Sequence, residues 1–233
     1  MERIFILAAL FILPIASFAQ VRLSTSVGYG TYAMKELREH QFELKDGWPV
    51  DAKTTSSFPG YLTYQLGADY SLKNNFRIGL SFSYGSTGGL VHYRDYSGEL
   101  GFEHKVRYFS YGCPIIYQLD LTDARLNLQF EFSPSINFGT TKYDSYLNLG
   151  TVKSEYSANF KSTNVGSSQS VRIERKVGPA FIFAQAGYYL DLYKSKLEWE
   201  EDRKEYLSNG LGEPVRMELS GMRVALGVAY VLR

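Results

Sequence analysis

The stretch from Leu126 to Gly139 permits very few folds. Leu126, Leu128, Phe130, Phe132, Pro134, Ile136 and Phe138 occupy one parity, and Asn127, Gln129, Glu131, Ser133, Ser135, Asn137 and Gly139 the other. Side chains alternate faces along a β-strand, so this segment has one apolar face and one polar or tiny face. A helix would need apolar residues every three to four positions, and they do not recur that way. The residues before it alternate as well. Phe109, Tyr111, Cys113, Ile115, Tyr117 and Leu119 oppose Tyr108, Ser110, Gly112, Pro114, Ile116 and Gln118, with Thr122-Asp123-Ala124 as a short turn. The pair predicts a long β-hairpin spanning Arg107 to Gly139.

The composition of the polar face decides which side is inside. A soluble sandwich or lipocalin turns its apolar face inward and covers the outer one with Lys and Glu. Here the polar parity is Asn, Gln, Ser and Gly with a single carboxylate. That mix suits a narrow hydrated lumen. The apolar parity runs close to the ~9–11 residues that a tilted strand needs to cross a bilayer. The oily face is therefore expected to touch lipid.

The same alternation recurs. It predicts strands over Val21–Tyr32, Phe58–Leu72, Phe76–Tyr84, Ala180–Leu192 and Leu219–Leu232, seven bands in all with the hairpin. Bacterial single-chain barrels have an even strand number. The eighth strand is either Leu197–Leu207 or a segment ending near Val177 with a Gly178-Pro179 turn. A further hairpin within Tyr143–Lys176 would make ten. Turns near Lys73 and Thr122 are short, whereas the connections from Lys35 and Thr140 are long and polar, the asymmetry of outer-membrane barrels. The expected fold class is all-β: an antiparallel, up-and-down transmembrane β-barrel.

Residues 1–19 have the parts of a secretory signal: basic Arg3, an apolar Ile4–Leu13 run, Pro14, and small residues up to Ala19. The expectation is export through this cleaved segment, leaving residues 20–233 as one barrel domain in the bacterial outer membrane. Net charge is +1, so nothing favours nucleic acid. Cys113 is the only cysteine, which excludes an intrachain disulfide.

Candidate chemistry is sparse. His40, His92 and His104 fall near loops and read as solvated, no serine stands in a nucleophile elbow, and no metal-ligand spacing is present. Gly85-Ser86-Thr87-Gly88-Gly89 lacks the Lys-Ser/Thr of a phosphate loop and reads as a flexible loop. No catalytic, cofactor or metal residue is expected, and the chain reads as non-enzymatic. The polar parity does carry charge: Arg22, Asp69, Arg77, Glu131, Asp191 and Arg223. Charges enclosed in a narrow barrel should pair, because isolated buried charges are costly. A plugged lumen is the expectation, with the loops free for structural, adhesion or partner-docking roles. The competing readings are a small channel or transport barrel and a soluble lipocalin-like carrier.

The chain resembles the small outer-membrane barrels of the OmpA/OmpX kind, and looks closest to the PorT-like outer-membrane β-barrel domain common in Bacteroidota. The resemblance rests on Tyr111–Tyr117, on Phe132-Ser133-Pro134-Ser135-Ile136, and on the closing Ser220–Tyr230 segment. It departs from those barrels in ending Tyr230-Val231-Leu232-Arg233, without a terminal aromatic residue. The resemblance implies no enzymatic activity and no cofactor. The implied partners are outer-membrane lipid, periplasmic chaperones and the barrel-assembly machinery during biogenesis, and a loop partner.

Overall fold

Every strand pairs antiparallel with its neighbours in sequence, and the last returns to the first. The computed structural model describes residues 21–48, 50, 52–54, 58–72, 75–96, 98–121, 126–149 and 151–232. Within them β1 is Val21–Gly30, β2 Tyr61–Ser71 and β3 Phe76–Arg94. Strand β4 has two segments, Gly98–Gly112 and Ile115–Leu121; β5 is Leu126–Leu149, β6 Val152–Val177, β7 Ala180–Lys194 and β8 Gly221–Leu232. Val21 pairs with Leu232 and Gly30 with Arg223, which closes the ring. The chain is an eight-stranded, up-and-down transmembrane β-barrel. Closure removes the exposed sheet edges that an open sheet would leave without hydrogen-bond partners in lipid.

The break in β4 follows from its sequence. Pro114 has no N–H to give the ladder. The Cys113 amide donates instead to the Pro134 carbonyl, and the Pro114 carbonyl accepts from Gly79. Both segments pair with the same two neighbours, β3 and β5, so they count as one strand. Cys113 is half-buried and free.

The apolar parity faces outward. Tyr111, Phe130, Phe132 and Tyr188 are all exposed on the barrel wall, and Leu80 and Leu226 are 71% and 70% exposed. A water-soluble protein could not sustain such a continuous apolar surface. Aromatic pairs mark both rims of the band. Phe76 and Tyr117 lie 5.1 Å apart between ring centroids at the short-turn end, and Tyr84 and Phe109 lie 5.1 Å apart at the other. The run from Phe76 to Tyr84 matches the ~9–11 residues of a tilted membrane strand.

The eighth strand is the one that ends at Val177. Gly178 adopts φ +60°, which the two-residue Gly178-Pro179 turn into β7 requires of a glycine. The alternative, Leu197–Leu207, forms only a two-residue strand and isolated bridges above the barrel. The additional hairpin that would make ten strands is absent among the described residues. Its sequence extends β5 and β6 past the aromatic rim, paired from Leu126–Arg175 to Leu149–Val152.

Two other expectations change. Gly85–Gly89 is no flexible loop but the middle of β3, paired with β4. Its glycines make room for side chains: a Cβ on Gly85 would meet the Tyr108 ring, and one on Gly89 the Gln41 amide. The connection after β1 holds a helix, α1, over Lys35–Asp46, whose Leu37, His40 and Gln41 are buried. The turn at Thr122-Asp123-Ala124, Lys73-Asn74 and the secretory segment lie outside the described residues.

At the long-loop end, α1 and the 195–220 segment close over the barrel mouth. Met34, Leu37, Leu197, Met217, Leu219 and Val106 form a buried apolar cluster there, joined by Tyr32, Tyr108 and Phe160. The molecule thus has a polar lumen inside the membrane band and an apolar cap above it.

Candidate functional site: the lumen and its cap

Six charged side chains form one alternating chain through the lumen at the short-turn end. Arg77 pairs with Asp69 by its Nε, and Arg22 Nε reaches the other Asp69 oxygen at 3.1 Å. Arg22 Nη1 donates to both Glu174 oxygens at 2.7 Å. Arg172 lies 3.7 Å from Glu174 and donates to Glu131 at 3.2 Å. Three guanidinium groups and three carboxylates alternate, so the cluster is neutral as a whole. Strands β1 and β6 are not neighbours in the ring, so the Arg22–Glu174 pair crosses the lumen.

Amides fill further hydrogen-bond positions around the central charges. Gln129 donates to Glu174 at 2.8 Å and to Gln118 at 3.0 Å, and its Oε1 accepts from Arg22 at 3.3 Å. Gln185 accepts from Arg172 at 2.9 Å and donates to Ser170 at 2.6 Å. Arg172 also stacks over the Phe183 ring, 4.2 Å from its centroid. A buried ion pair is tolerable when its other lone pairs and protons are also engaged. Here the Arg22, Glu174, Arg172 and Glu131 groups are so engaged, whereas Arg77 Nη2 is buried without a hydrogen-bond partner among the described residues.

Of the six charges read from the sequence, the structure brings Arg22, Asp69, Arg77 and Glu131 together. Asp191 and Arg223 lie apart, below the cap, and pair with no charge among the described residues. The Asp191 carboxylate accepts from the backbone N–H groups of Leu219 and Ser220 and from Asn164 at 3.2 Å. Arg223 donates to the carbonyls of Leu219, at 2.7 Å, and of Thr31, and sits over the Tyr32 ring. Both tie the connections after β1 and before β8 to the barrel wall, so they anchor the cap. The physical reason is their height: they occupy strand ends nearer the loops, beyond reach of the charges below.

Arg172 and Glu174 take the vacated places in the network, and sequence reasoning missed them. The signal was present in Val171-Arg172-Ile173-Glu174, where Val171 and Ile173 point to lipid and the charges inward. It was obscured because the polar residues preceding it break the outward apolar run.

Between network and cap lies a polar chamber of about 100 Å³. Ser81, Ser83, Ser133, Ser135, Asn137 and Tyr189 are among the residues lining it. Its volume suits a few water molecules hydrogen-bonded to hydroxyls.

In the cap, two histidines are buried where solvated ones were expected. His104 is 0% exposed and His40 is 7%. Their rings meet edge-on, 5.6 Å apart, and Gln41 Nε2 lies 3.1 Å from His104 Nδ1. Burial pushes the His104 imidazole down to about 3, with His40 beside it adding to the effect. His40 is lowered too, by burial. His92 stays at the surface, 2.9 Å from Glu99. Residue geometry explains the correction: His104 faces inward on β4, and α1 covers it.

No protein-family model matches the chain, and no curated protein matches it. Solved structures of outer-membrane barrels are similar at low identity. Neisserial surface protein A is 12% identical with a TM-score of 0.46, over 91% of this chain and 96% of that one. Ail, the attachment invasion locus protein of Yersinia pestis, crystallised with the heparin analogue sucrose octasulfate, is 12% identical with a TM-score of 0.42, over 92% and 99%. The outer-membrane protease OmpT of Escherichia coli is 12% identical with a TM-score of 0.39, over 92% and 97%. The last corrects one expectation from the sequence. Barrels similar to this chain include an enzyme, so the reading of the chain as non-enzymatic is withdrawn.

Proposed function

We propose that this protein is an integral outer-membrane barrel with a closed lumen, which holds a folded loop layer on the far side of the membrane for structural, adhesion or docking roles. The observation that carries the reading is the alternating Arg77–Asp69–Arg22–Glu174–Arg172–Glu131 chain across the lumen. An ion entering from the short-turn end would have to break several desolvated charge pairs, and the apolar cap stands at the other mouth. Export through the N-terminal segment and kinship with PorT-like barrels belong to the same proposal, supported by the residues quoted for each. The outward aromatic band fits residence in lipid, and the short turns on the side of both strand termini fit a periplasmic start.

Purified protein reconstituted in planar bilayers tests the closed lumen. The expected record is a flat baseline with only rare, brief events. Steady, voltage-independent conductance of the intact protein would replace this reading with a channel.

A further inference from the structure

One outward surface lies where the lipid-facing belt meets the cap. It is a groove of about 590 Å³ on the barrel wall, between β4, β5 and β6 below and the 195–203 segment above. Its lower side is apolar, made by Phe109, Phe138, Val165 and Tyr193. Lys161, Glu198, Trp199, Glu200 and Arg203 stand on its upper side. The register fixes its height. Phe109 pairs with Phe138 and Phe138 with Thr163, and the next outward row is Arg107, Thr140 and Lys161. A cationic row thus begins one outward position above the aromatic rim, where headgroups meet acyl chains.

The cations there are not all neutralised by the protein. Lys161 pairs with Glu200 at 2.7 Å, and Glu198 lies 3.9 Å from Lys196. Arg107 and Arg203 have no carboxylate partner among the described residues and are both exposed. One row higher, Lys105 and Lys142 add further positive charge, shared with Glu103 and Asp144. Guanidinium groups left free at a membrane interface suit phosphate oxygens, which they bind through two parallel hydrogen bonds. The apolar lower side makes a soluble anion a poor match, since such a ligand would leave Phe138 and Val165 uncovered.

We infer that this groove binds the phosphate-bearing headgroup of an outer-leaflet lipid, with Lys161 and Arg203 of its lining, and Arg107 at its edge beside Thr140, on the phosphate and the aromatic floor along its acyl chain. The chemistry is that of a phosphomonoester lipid. Trp199 lines the groove, so it reports occupancy directly.

The test uses the full barrel in phosphatidylcholine vesicles, in a Trp48→Phe background that leaves Trp199 as the sole tryptophan. Quenching of Trp199 is measured while brominated phosphatidic acid or brominated phosphatidylcholine is added. Three cations at a charged interface should favour the phosphomonoester by at least roughly tenfold in the mole fraction for half-quenching. The combined R107S/K161S/R203S variant should erase that preference, whereas K153S, at the tip of the β5–β6 hairpin, should keep it. Because all three side chains point outward, folding of the variant is checked by its heat-modifiable mobility. Equal quenching by both lipids would overturn the assignment, as would a preference that survives the triple substitution. Displacement of the brominated lipid by excess inorganic phosphate would also overturn it, in favour of a site for soluble anions. None of these readouts depends on whether the lumen conducts.

Discussion

Arg22 and Glu174 are 152 positions apart in the chain, yet Arg22 Nη1 lies 2.7 Å from both carboxylate oxygens across the lumen. The two side chains are 1% and 0% exposed. Each has a second partner of opposite sign, Asp69 for Arg22 and Arg172 for Glu174. Replacing one member therefore leaves two cations or two anions facing a single counter-charge. Glu174→Gln keeps the shape and some hydrogen bonds but removes the charge that balances Arg22 and Arg172. Losing one partner of a buried pair costs about 3–5 kcal/mol. Urea unfolding of the barrel folded in vesicles should show a midpoint lowered accordingly. An unchanged midpoint would mean that water already reaches this part of the lumen.

The outward face makes a different prediction. Leu226 sits mid-strand on β8, between Val27 of β1 and Ala184 of β7. An arginine there would lie near the bilayer midplane, where it costs roughly 2–4 kcal/mol. Leu211 is equally apolar and 83% exposed, but it stands in the 195–220 connection. Leu211→Arg should be almost neutral in the same unfolding assay. If Leu226→Arg were equally mild, the apolar band would not be immersed in lipid.

Much of this architecture was legible because a membrane barrel writes its pattern with period two. Phe130 and Phe132 against Gln129 and Glu131 announce both the strand and its orientation, since lipid and lumen make opposite demands on neighbouring residues. Strand β6 was harder to read. Its outward positions include Ser167, Gln169 and Lys161, which are polar, so hydropathy gave no clean alternation over Val152–Val177. The helix α1 was missed for a related reason. Only Leu37, His40 and Gln41 of its twelve residues are buried, and two of those three are polar. The cap could not be read at all, because it joins Leu37, Val106, Phe160 and Met217 from four separate connections and strand ends. Which charges share the network was likewise a matter of height in the barrel, which parity alone does not encode.

The turn that joins β6 to β7 offers a clean backbone test. Gly178 has φ +60°, and a Cβ placed on it would meet nothing within 4 Å. Gly178→Ala therefore adds only the cost of holding a side-chain-bearing residue in the left-handed region, about 1–2 kcal/mol. Gly178→Asn should cost less, because asparagine tolerates that conformation, as Asn75 does at φ 65° in the turn before β3. Unfolding midpoints should rank glycine first, then asparagine, then alanine. A different order would place the strain elsewhere in the turn.

His104 gives the cap a dependence on acid. Its folded-state pKa of about 3 is far below the ordinary histidine value near 6.5, because burial against His40 disfavours the imidazolium. The groups around it do not offset this: Gln41 and Tyr143 are neutral, and His40 would itself become cationic. An opened cap would expose His104 and protonate it below about pH 6.5. Between that value and 3 the open state binds the extra proton, so closure weakens as pH falls and is insensitive to pH above neutrality. Each unit below 6.5 removes about 1.4 kcal/mol, or about 2 kcal/mol at pH 5 for this one group. Hydrogen exchange, corrected for the intrinsic rate, should show amides of α1 and of the 195–220 segment losing protection at about pH 5 while the barrel strands keep theirs. His104→Asn places an amide oxygen where Nδ1 meets Gln41 and removes the titrating group, so it should flatten most of that dependence. Equal acid sensitivity in the variant would assign the effect to His40 or to a carboxylate of the cap.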